Sequence, residues 1–298
     1  MKTVLCVQKA AGDIFAGITK NVPGLDVNFQ YLSYKSDDDG SQITDSVLVF
    51  CRKVKPDLIL VVPQPDVDQV CSFPWIKQLS EKGYAVGVFW YDSTDFSHYI
   101  AKMPYCQHII LDDMNFAGDN VVRIWTPERK EAKWNLEAVR DIPVSFNGTI
   151  SGKERTETLE RLTKLGVPIF LSVRDWISFK LFHQFMLRTR IGLNFPRSKG
   201  DQSKTQLKGR VFEMIAAGVL LVEPENNQTP LFFTPGEECI SYQTPEEGAD
   251  KINYYLRNEK ERLQITLKAA QRMNSQYNIY EWWRTLFNQI SLGALTMN

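Results

Sequence analysis

The stretch Lys204-Thr205-Gln206-Leu207-Lys208-Gly209-Arg210-Val211-Phe212-Glu213-Met214-Ile215-Ala216-Ala217-Gly218-Val219-Leu220-Leu221-Val222-Glu223 decides the fold class. Leu207, Val211, Met214, Ile215 and Gly218 recur at intervals of three and four residues, the period of a helix with one buried face. Gly218 stops that helix. Val219-Leu220-Leu221-Val222 follows at once, too short for a helix and apolar on both faces, as in the middle of a parallel sheet. Open α/β sheets built from such helix-to-strand units place ligands outside the carboxyl ends of their strands, where helix N-termini also point. Lys204, Lys208 and Arg210 lie at or near that end of the helix, and Glu213 follows Arg210 by about one turn. Cations for a phosphate and a carboxylate for sugar hydroxyls are then within reach of one ligand. The same set on the outer face of an amphipathic helix is, more commonly, a solvated face.

Working outward, both halves of the chain alternate strand with helix. Strands are expected at Thr3 to Gln8, Val27 to Leu32, Leu58 to Val62, Ala85 to Tyr91, His108 to Leu111 and Val121 to Trp125. Helices are expected at Ile14 to Thr19, Ile43 to Lys53 and Ile76 to Lys82, with Ser36 to Gly40 a polar loop. The second half repeats the pattern, with strands near Ile142 to Phe146, Val167 to Val173, Ile191 to Phe195 and Cys239 to Tyr242. Its helices are placed at Trp176 to Leu187, from Pro245 to about Arg257, and at Glu259 to Met273. Alternation of this kind argues for parallel, doubly wound sheets with right-handed crossovers. At 298 residues the chain exceeds one ordinary domain, and the charged segment Glu128 to Arg140 is the natural boundary. We therefore expect an N-terminal domain over 1–135, a C-terminal domain over 136–278 and a terminal helix over 279–298. Trp282, Trp283 and Phe287 make that last segment too aromatic to be left in solvent.

Composition excludes several classes. Lys plus Arg and Asp plus Glu both number 35, so the formal charge is zero, with no basic block to follow a phosphate backbone; a dedicated nucleic-acid binder is disfavoured. The five cysteines are odd in number and scattered without metal or redox spacing, which reads as a reduced, cytoplasmic setting. No apolar run reaches membrane length. His98, His108 and His183 have no metal-ligand spacing. Asp66-Val67-Asp68 has the D-x-D form of a metal-bound nucleotide-sugar site, but Asp66 after Pro65 is accounted for by helix N-capping. Asp37-Asp38-Asp39 reads as a solvated loop.

The run Arg210-Val211-Phe212-Glu213-Met214-Ile215-Ala216-Ala217-Gly218 resembles the R-x-F-E-x-x-A-x-G segment of two-domain nucleotide-sugar glycosyltransferases, in particular the spore-maturation CgeB-like, glycosyl transferases group 1 proteins. The resemblance continues through Leu231 to Glu238, Tyr242, Pro245-Glu246-Glu247, Tyr254-Tyr255-Leu256 and Arg262. It implies the GT-B architecture, two Rossmann-like doubly wound domains facing across a cleft, with the terminal helix crossing back to the first. It also implies sugar transfer from a nucleotide-diphosphate sugar to an acceptor hydroxyl, without a metal or other cofactor. On this reading Glu213 meets the ribose and Lys208 and Arg210 the phosphates.

Three further groups join this set. Asn147-Gly148-Thr149 follows a strand and leads to a helix, where backbone amides can cradle a phosphate, although a plain strand-to-helix turn needs no function. It has neither a Walker Gly-Lys-Ser/Thr nor a G-x-G-x-x-G. The resemblance places a glycine turn here and an Arg near Arg155. Arg174, at another carboxyl end, would complete a diphosphate clamp or form a surface ion pair. Phe89-Trp90-Tyr91-Asp92 resembles the W-x-D of the same group, making Asp92, then Asp95 and His98, candidates for taking the acceptor proton; capping the following helix is the alternative for Asp92. Many retaining members carry a second Glu eight residues before the one matched by Glu213. Here that residue is Thr205, which leaves retention or inversion open. The acceptor is equally open among glycan, protein and small molecule, with a modified nucleic-acid base disfavoured by the charge. An epimerase or phosphorylase on the same scaffold, or a non-catalytic nucleotide-sugar-binding protein, are the rival readings.

Overall fold

The computed structural model describes residues 1–9, 18–19, 22, 24–34, 40–62, 74–90, 96–127, 139–150, 152–172, 179–198 and 203–290. The chain divides into two compact units, Met1–Lys130 together with Ile279–Asn298, and Glu131–Asn278. The expected helix core at 14–17, the loop at 36–39, the Asp66 and Asp68 pair, Asp92, Asp95 and Arg174 lie outside the described residues.

The first unit runs β1 (Lys2–Lys9), β2 (Val27–Tyr34), α1 (Gly40–Val54), β3 (Leu58–Val62), α2 (Pro74–Glu81), β4 (Ala85–Trp90), α3 (Phe96–Lys102), β5 (Gln107–Ile110) and β6 (Val121–Arg123). The strands form one parallel sheet in the order β2-β1-β3-β4-β5-β6. All of β3 is buried, as a continuous apolar run covered on both faces must be. Leu5, Val7, Ile59, Val61, Val88 and Trp90 share one face and pack with Val47 of α1 and Ile76 of α2. His108 is fully buried on β5. Its Nδ1 accepts from Trp90 Nε1 at 3.1 Å, so Nε2 carries the proton and donates to the Met103 carbonyl at 2.9 Å. Burial holds its pKa below the ordinary histidine value.

The second unit runs β7 (Ile142–Asn147), α4 (Lys153–Lys164), β8 (Ile169–Ser172), α5 (Phe179–Leu187), β9 (Thr189–Leu193), α6 (Gly209–Ala216), β10 (Leu220–Pro224), β11 (Ile240–Tyr242), α7 (Pro245–Arg257) and α8 (Glu259–Gln276). Its parallel sheet has the order β11-β10-β9-β7-β8. From β7 the chain steps to β8 on one side, then returns to β9, β10 and β11 on the other. The order therefore reverses between β7 and β9, and a ligand crevice is expected outside their carboxyl ends.

The helix of the opening stretch begins at Gly209 rather than Leu207. Lys208 takes an extended conformation (φ −76°, ψ 135°) as the residue before the first turn, and Leu207 is buried outside the helix by tertiary packing. Gly218 ends it as expected: at φ 68° it donates to the Ile215 carbonyl at 2.9 Å while Val219 donates to Met214 at 2.9 Å, the paired bonds of a Schellman motif. The strand after it starts at Leu220 and reaches Pro224.

Within the first unit, α9 (Ile279–Gln289) buries Trp282, Trp283, Leu286 and Phe287 completely. Trp282 stacks on Phe89 at 5.9 Å, and Trp283 lies 4.8 Å from Phe29. Phe89 points to the face of β4 opposite Val88 and Trp90, so α9 covers the sheet's second side. Trp282 Nε1 donates to the Trp125 carbonyl at 2.7 Å and Trp283 Nε1 to the Ile18 carbonyl at 2.6 Å. β6 accordingly stops at Arg123, short of the expected Trp125, whose carbonyl serves the helix instead of the sheet.

Candidate functional site

The carboxyl edge of the second sheet is where the charged candidates gather. β7 ends in Asn147, and Gly148 turns the chain toward α4. A Cβ built on Gly148 would lie 2.8 Å from Arg210 Cζ, so the guanidinium of Arg210 fills the space above this turn. Arg155, in the first turn of α4, donates from Nη1 to the Thr149 carbonyl at 2.7 Å. Its Cζ lies 5.7 Å from the Phe146 ring centroid and 5.8 Å from that of Phe195; Arg210 Cζ lies 5.8 Å from Phe146. Two guanidinium groups from different helices thus flank the Phe146-Asn147-Gly148 segment at the β7/β9 reversal, each half-buried.

Lys208 stands immediately before α6 and donates from Nζ to Gln206 Oε1. Neither α4 nor α6 has a side-chain cap on its first turn. Glu213, one turn beyond Arg210, is half-buried, and its carboxylate has no hydrogen-bond or ion-pair partner among the described residues. Lys204 is exposed. Thr205, at the position where the resemblance expects a second glutamate, donates its hydroxyl to Asn227 Oδ1. Gly148, Arg155 and Arg210 are therefore brought together at one sheet edge, with Lys208 just before α6 and Glu213 one turn beyond Arg210. His98 belongs to the other unit, exposed on α3 with its ring 5.6 Å from Tyr99.

Sequence reasoning passed over a row of buried polar residues at this edge. Ser145 pairs with Gly192 and Val222 with Leu193, so Asn147, Asn194 and Glu223 follow in register across β7, β9 and β10 and share one face. All three are buried. Asn194 Nδ2 donates to Glu223 Oε2 at 2.5 Å, and Asn226 Nδ2 to Glu223 Oε1 at 2.8 Å. Burial pushes the Glu223 pKa up, opposed by the nearby Thr229 side chain and by these amides. The available signal was a polar residue closing an apolar run, as in Val222-Glu223-Pro224.

Among the described residues no three His, Cys, Asp or Glu side chains converge as metal ligands would, and no helix is long and apolar enough to cross a membrane. Cys6, Cys51, Cys106 and Cys239 are buried and form no disulfide among the described residues.

A family model described as glycosyl transferase-like matches residues 129–288, more than half of the chain. The chain belongs to this family. No sequence among curated proteins matches it. Among solved structures, the Anabaena protein Alr3699/HepE in complex with UDP and glucose aligns with a TM-score of 0.65 at 10% identity, covering 98% of this chain and 100% of that one. A glycosyltransferase of Rickettsia africae aligns at 0.62 and 10% identity, over 97% and 98% of the two chains. Sucrose-phosphate synthase of Thermosynechococcus elongatus aligns at 0.60 and 10% identity, over 98% and 99%. At such identities the likeness establishes the fold. This glycosyl transferase-like chain has the GT-B fold, with two Rossmann-like parallel-sheet domains.

Proposed function

We propose that this glycosyl transferase-like chain moves a hexosyl or pentosyl group from a nucleotide-diphosphate sugar to an acceptor hydroxyl, with no metal ion required. The observation that carries the reading is the convergence of Arg155 and Arg210 on the Gly148 turn. Sugar transfer leaves a diphosphate behind and passes through an oxocarbenium-like sugar. Pre-placed guanidinium groups and an uncapped helix start oppose the developing negative charge without reorganising. Arg155, Arg210 and Lys208 are assigned to the diphosphate, with Arg174 completing the set, and the Gly148 turn gives the Arg210 guanidinium its room. Glu213, half-buried with its acceptor oxygens unused by the described residues, is assigned to the ribose hydroxyls. The complex of the Anabaena protein with UDP and glucose supports a nucleotide sugar as donor. The first unit is assigned to the acceptor, with Asp92, Asp95 or His98 taking its proton. A glycan, a protein or a small molecule fits an unbiased net charge better than a nucleic-acid base does.

Calorimetry of the whole chain with UDP, GDP, ADP and dTDP in EDTA tests the donor half. Binding of one of them is expected. Binding that appears only when a divalent cation is restored would overturn the metal-free reading. Glu213→Ala should weaken that binding by about 1.5–3 kcal/mol, the range for hydrogen bonds involving a charged group, while an unchanged affinity would return Glu213 to a solvated face. Incubation with the matching sugar nucleotide then separates the classes. Free nucleoside diphosphate marks transfer, or hydrolysis where water is the acceptor, an altered sugar marks epimerisation, and saturable binding without turnover marks a binding module.

A further inference from the structure

A buried carboxylate that the proposed chemistry does not use closes β10, in register with Asn194 and with Asn147 beside the Gly148 turn. Glu223 accepts from Asn194 Nδ2 on one oxygen and from Asn226 Nδ2 on the other. Asn226 Oδ1 in turn accepts the backbone amides of Gln228 and Thr229, each at 2.9 Å, which closes the loop after β10. That loop reaches across to the segment before α6. Thr205 donates to Asn227 Oδ1, and Gln228 Nε2 approaches the Thr205 carbonyl at 3.5 Å. The next residue, Gln206, is anchored by its amide on the Pro196 carbonyl at 2.7 Å and receives Lys208 Nζ on its side chain. A chain of hydrogen bonds therefore runs from the sheet interior to the first turn of α6.

We infer that Glu223 is a positioning residue of the donor site: through Asn226 it orders the 225–229 loop, and through that loop it sets Thr205 and the Gln206 to Arg210 segment that carries the cations. The inference rests on the donor-site reading above. Three features set this carboxylate apart from an ordinary core residue. It is isolated in the interior, where ionised groups are costly without dedicated donors. Its two oxygens are divided between two different elements, the end of β9 and the loop. Its neighbours in the row, Asn147 and Asn194, each keep an Oδ1 that is buried with no hydrogen-bond partner among the described residues. A row retained at that desolvation cost serves to hold geometry at the edge, as the supporting shell of a precise site does.

The geometry permits an exchange test. In Glu223→Gln the side-chain oxygen can still accept from Asn194, but its amide then faces the Asn226 amide, donor against donor. Asn226 cannot flip without abandoning the Gln228 and Thr229 amides. Asn226→Asp alone sets two carboxylates against each other. Combined, Glu223→Gln with Asn226→Asp restores the bond between residues 223 and 226 with donor and acceptor exchanged and keeps the Asn194 bond; it gives up only the 3.2 Å bond from Asn226 Nδ2 to the Pro224 carbonyl. The exposed Glu225 supplies a control as Glu225→Gln.

Hydrogen exchange read by mass spectrometry on the whole chain, over residues 203–211 and 225–233, and calorimetry with UDP and with inorganic diphosphate are compared across these variants. Each single variant should speed exchange in both segments and weaken UDP and diphosphate about tenfold, a change of about 1.4 kcal/mol. The double variant should recover most of both, and Glu225→Gln should match the parent. Faster exchange confined to 225–233, or unchanged affinity with both segments loosened, would overturn the positioning role. So would a double variant no better than the singles. If Glu223→Gln does not fold, Asn226→Asp and the double variant still decide the matter. A parent that binds neither UDP nor diphosphate sinks the donor reading instead, and exchange at 203–211 then decides alone whether Glu223 orders that segment.

Discussion

Arg210 occupies the space that a side chain at Gly148 would need, so the two residues are matched across the reversal of the second sheet. The first is on a helix and the second on a strand-end turn. Glycine suits this turn for two reasons: its φ of 158° strains any L side chain, and the guanidinium lies where a Cβ would stand.

Gly148→Ala should therefore move the Arg210 guanidinium while leaving the fold intact. The obstructed atoms are the far end of a flexible side chain and can swing away, but Gly148 holds φ 158°, a backbone conformation that an L side chain adopts only under strain of about 1–3 kcal/mol. The expected result is a melting temperature a few degrees below the parent's, set by that backbone strain, with the affinity of the folded chain for a nucleoside diphosphate lowered about tenfold, equivalent to about 1.4 kcal/mol. Thermal melts and calorimetry on one sample check it. Parental affinity in the alanine variant would show that the guanidinium position does not matter to the ligand.

His108 predicts a pH dependence of stability. Its folded pKa is depressed below the ordinary value of 6.5 because burial disfavours the imidazolium, partly offset by the Met103 carbonyl. As pH falls through the unfolded value the unfolded chain takes up the proton first. Stability present above that value is then progressively lost toward the folded pKa. His108→Gln can keep both hydrogen bonds without titrating. Between about pH 7 and about pH 5 the parent's melting temperature should fall more steeply than the variant's, and parallel slopes would refute the assignment.

Trp283 ties α9 to the first unit. Trp283→Ala removes a fully buried indole and should cost about 3–5 kcal/mol. Trp283→Phe keeps much of the apolar area but leaves the Ile18 carbonyl without its donor, for about 1–3 kcal/mol. Chemical denaturation of parent and both variants gives the order directly. A Trp283→Ala chain as stable as the parent would mean that α9 is not a structural part of this unit.

Much of the architecture is legible from short windows of sequence. Leu58 to Val62 announces a strand buried on both faces, and the residues of that strand coincide with the expectation. Gly218 stops α6 because a left-handed residue is needed there, a requirement set by the few residues around it. Arg210 and Glu213 could be assigned to one helix start for the same reason, since i and i+3 are neighbours whatever else the chain does. Strand, helix and stop depend on local periodicity, and local periodicity is written in order along the chain.

What tertiary structure alone decided is which distant residues share an edge. Leu207 carries the helical period but is buried outside the helix, since burial at that site comes from packing rather than from a turn of α6. The Gly148, Arg155 and Arg210 convergence depends on β7 lying beside β9 at the reversal of strand order. The row of Asn147, Asn194 and Glu223 exists only because three strands pair in one register, where a slip of one residue would turn each side chain to the opposite face. Trp125 illustrates the same limit, because its carbonyl is claimed by Trp282 from the far end of the chain. Periodicity sets which face of an element is buried, but strand order and register are set by pairings between residues far apart in sequence, and the candidate site is made of those pairings.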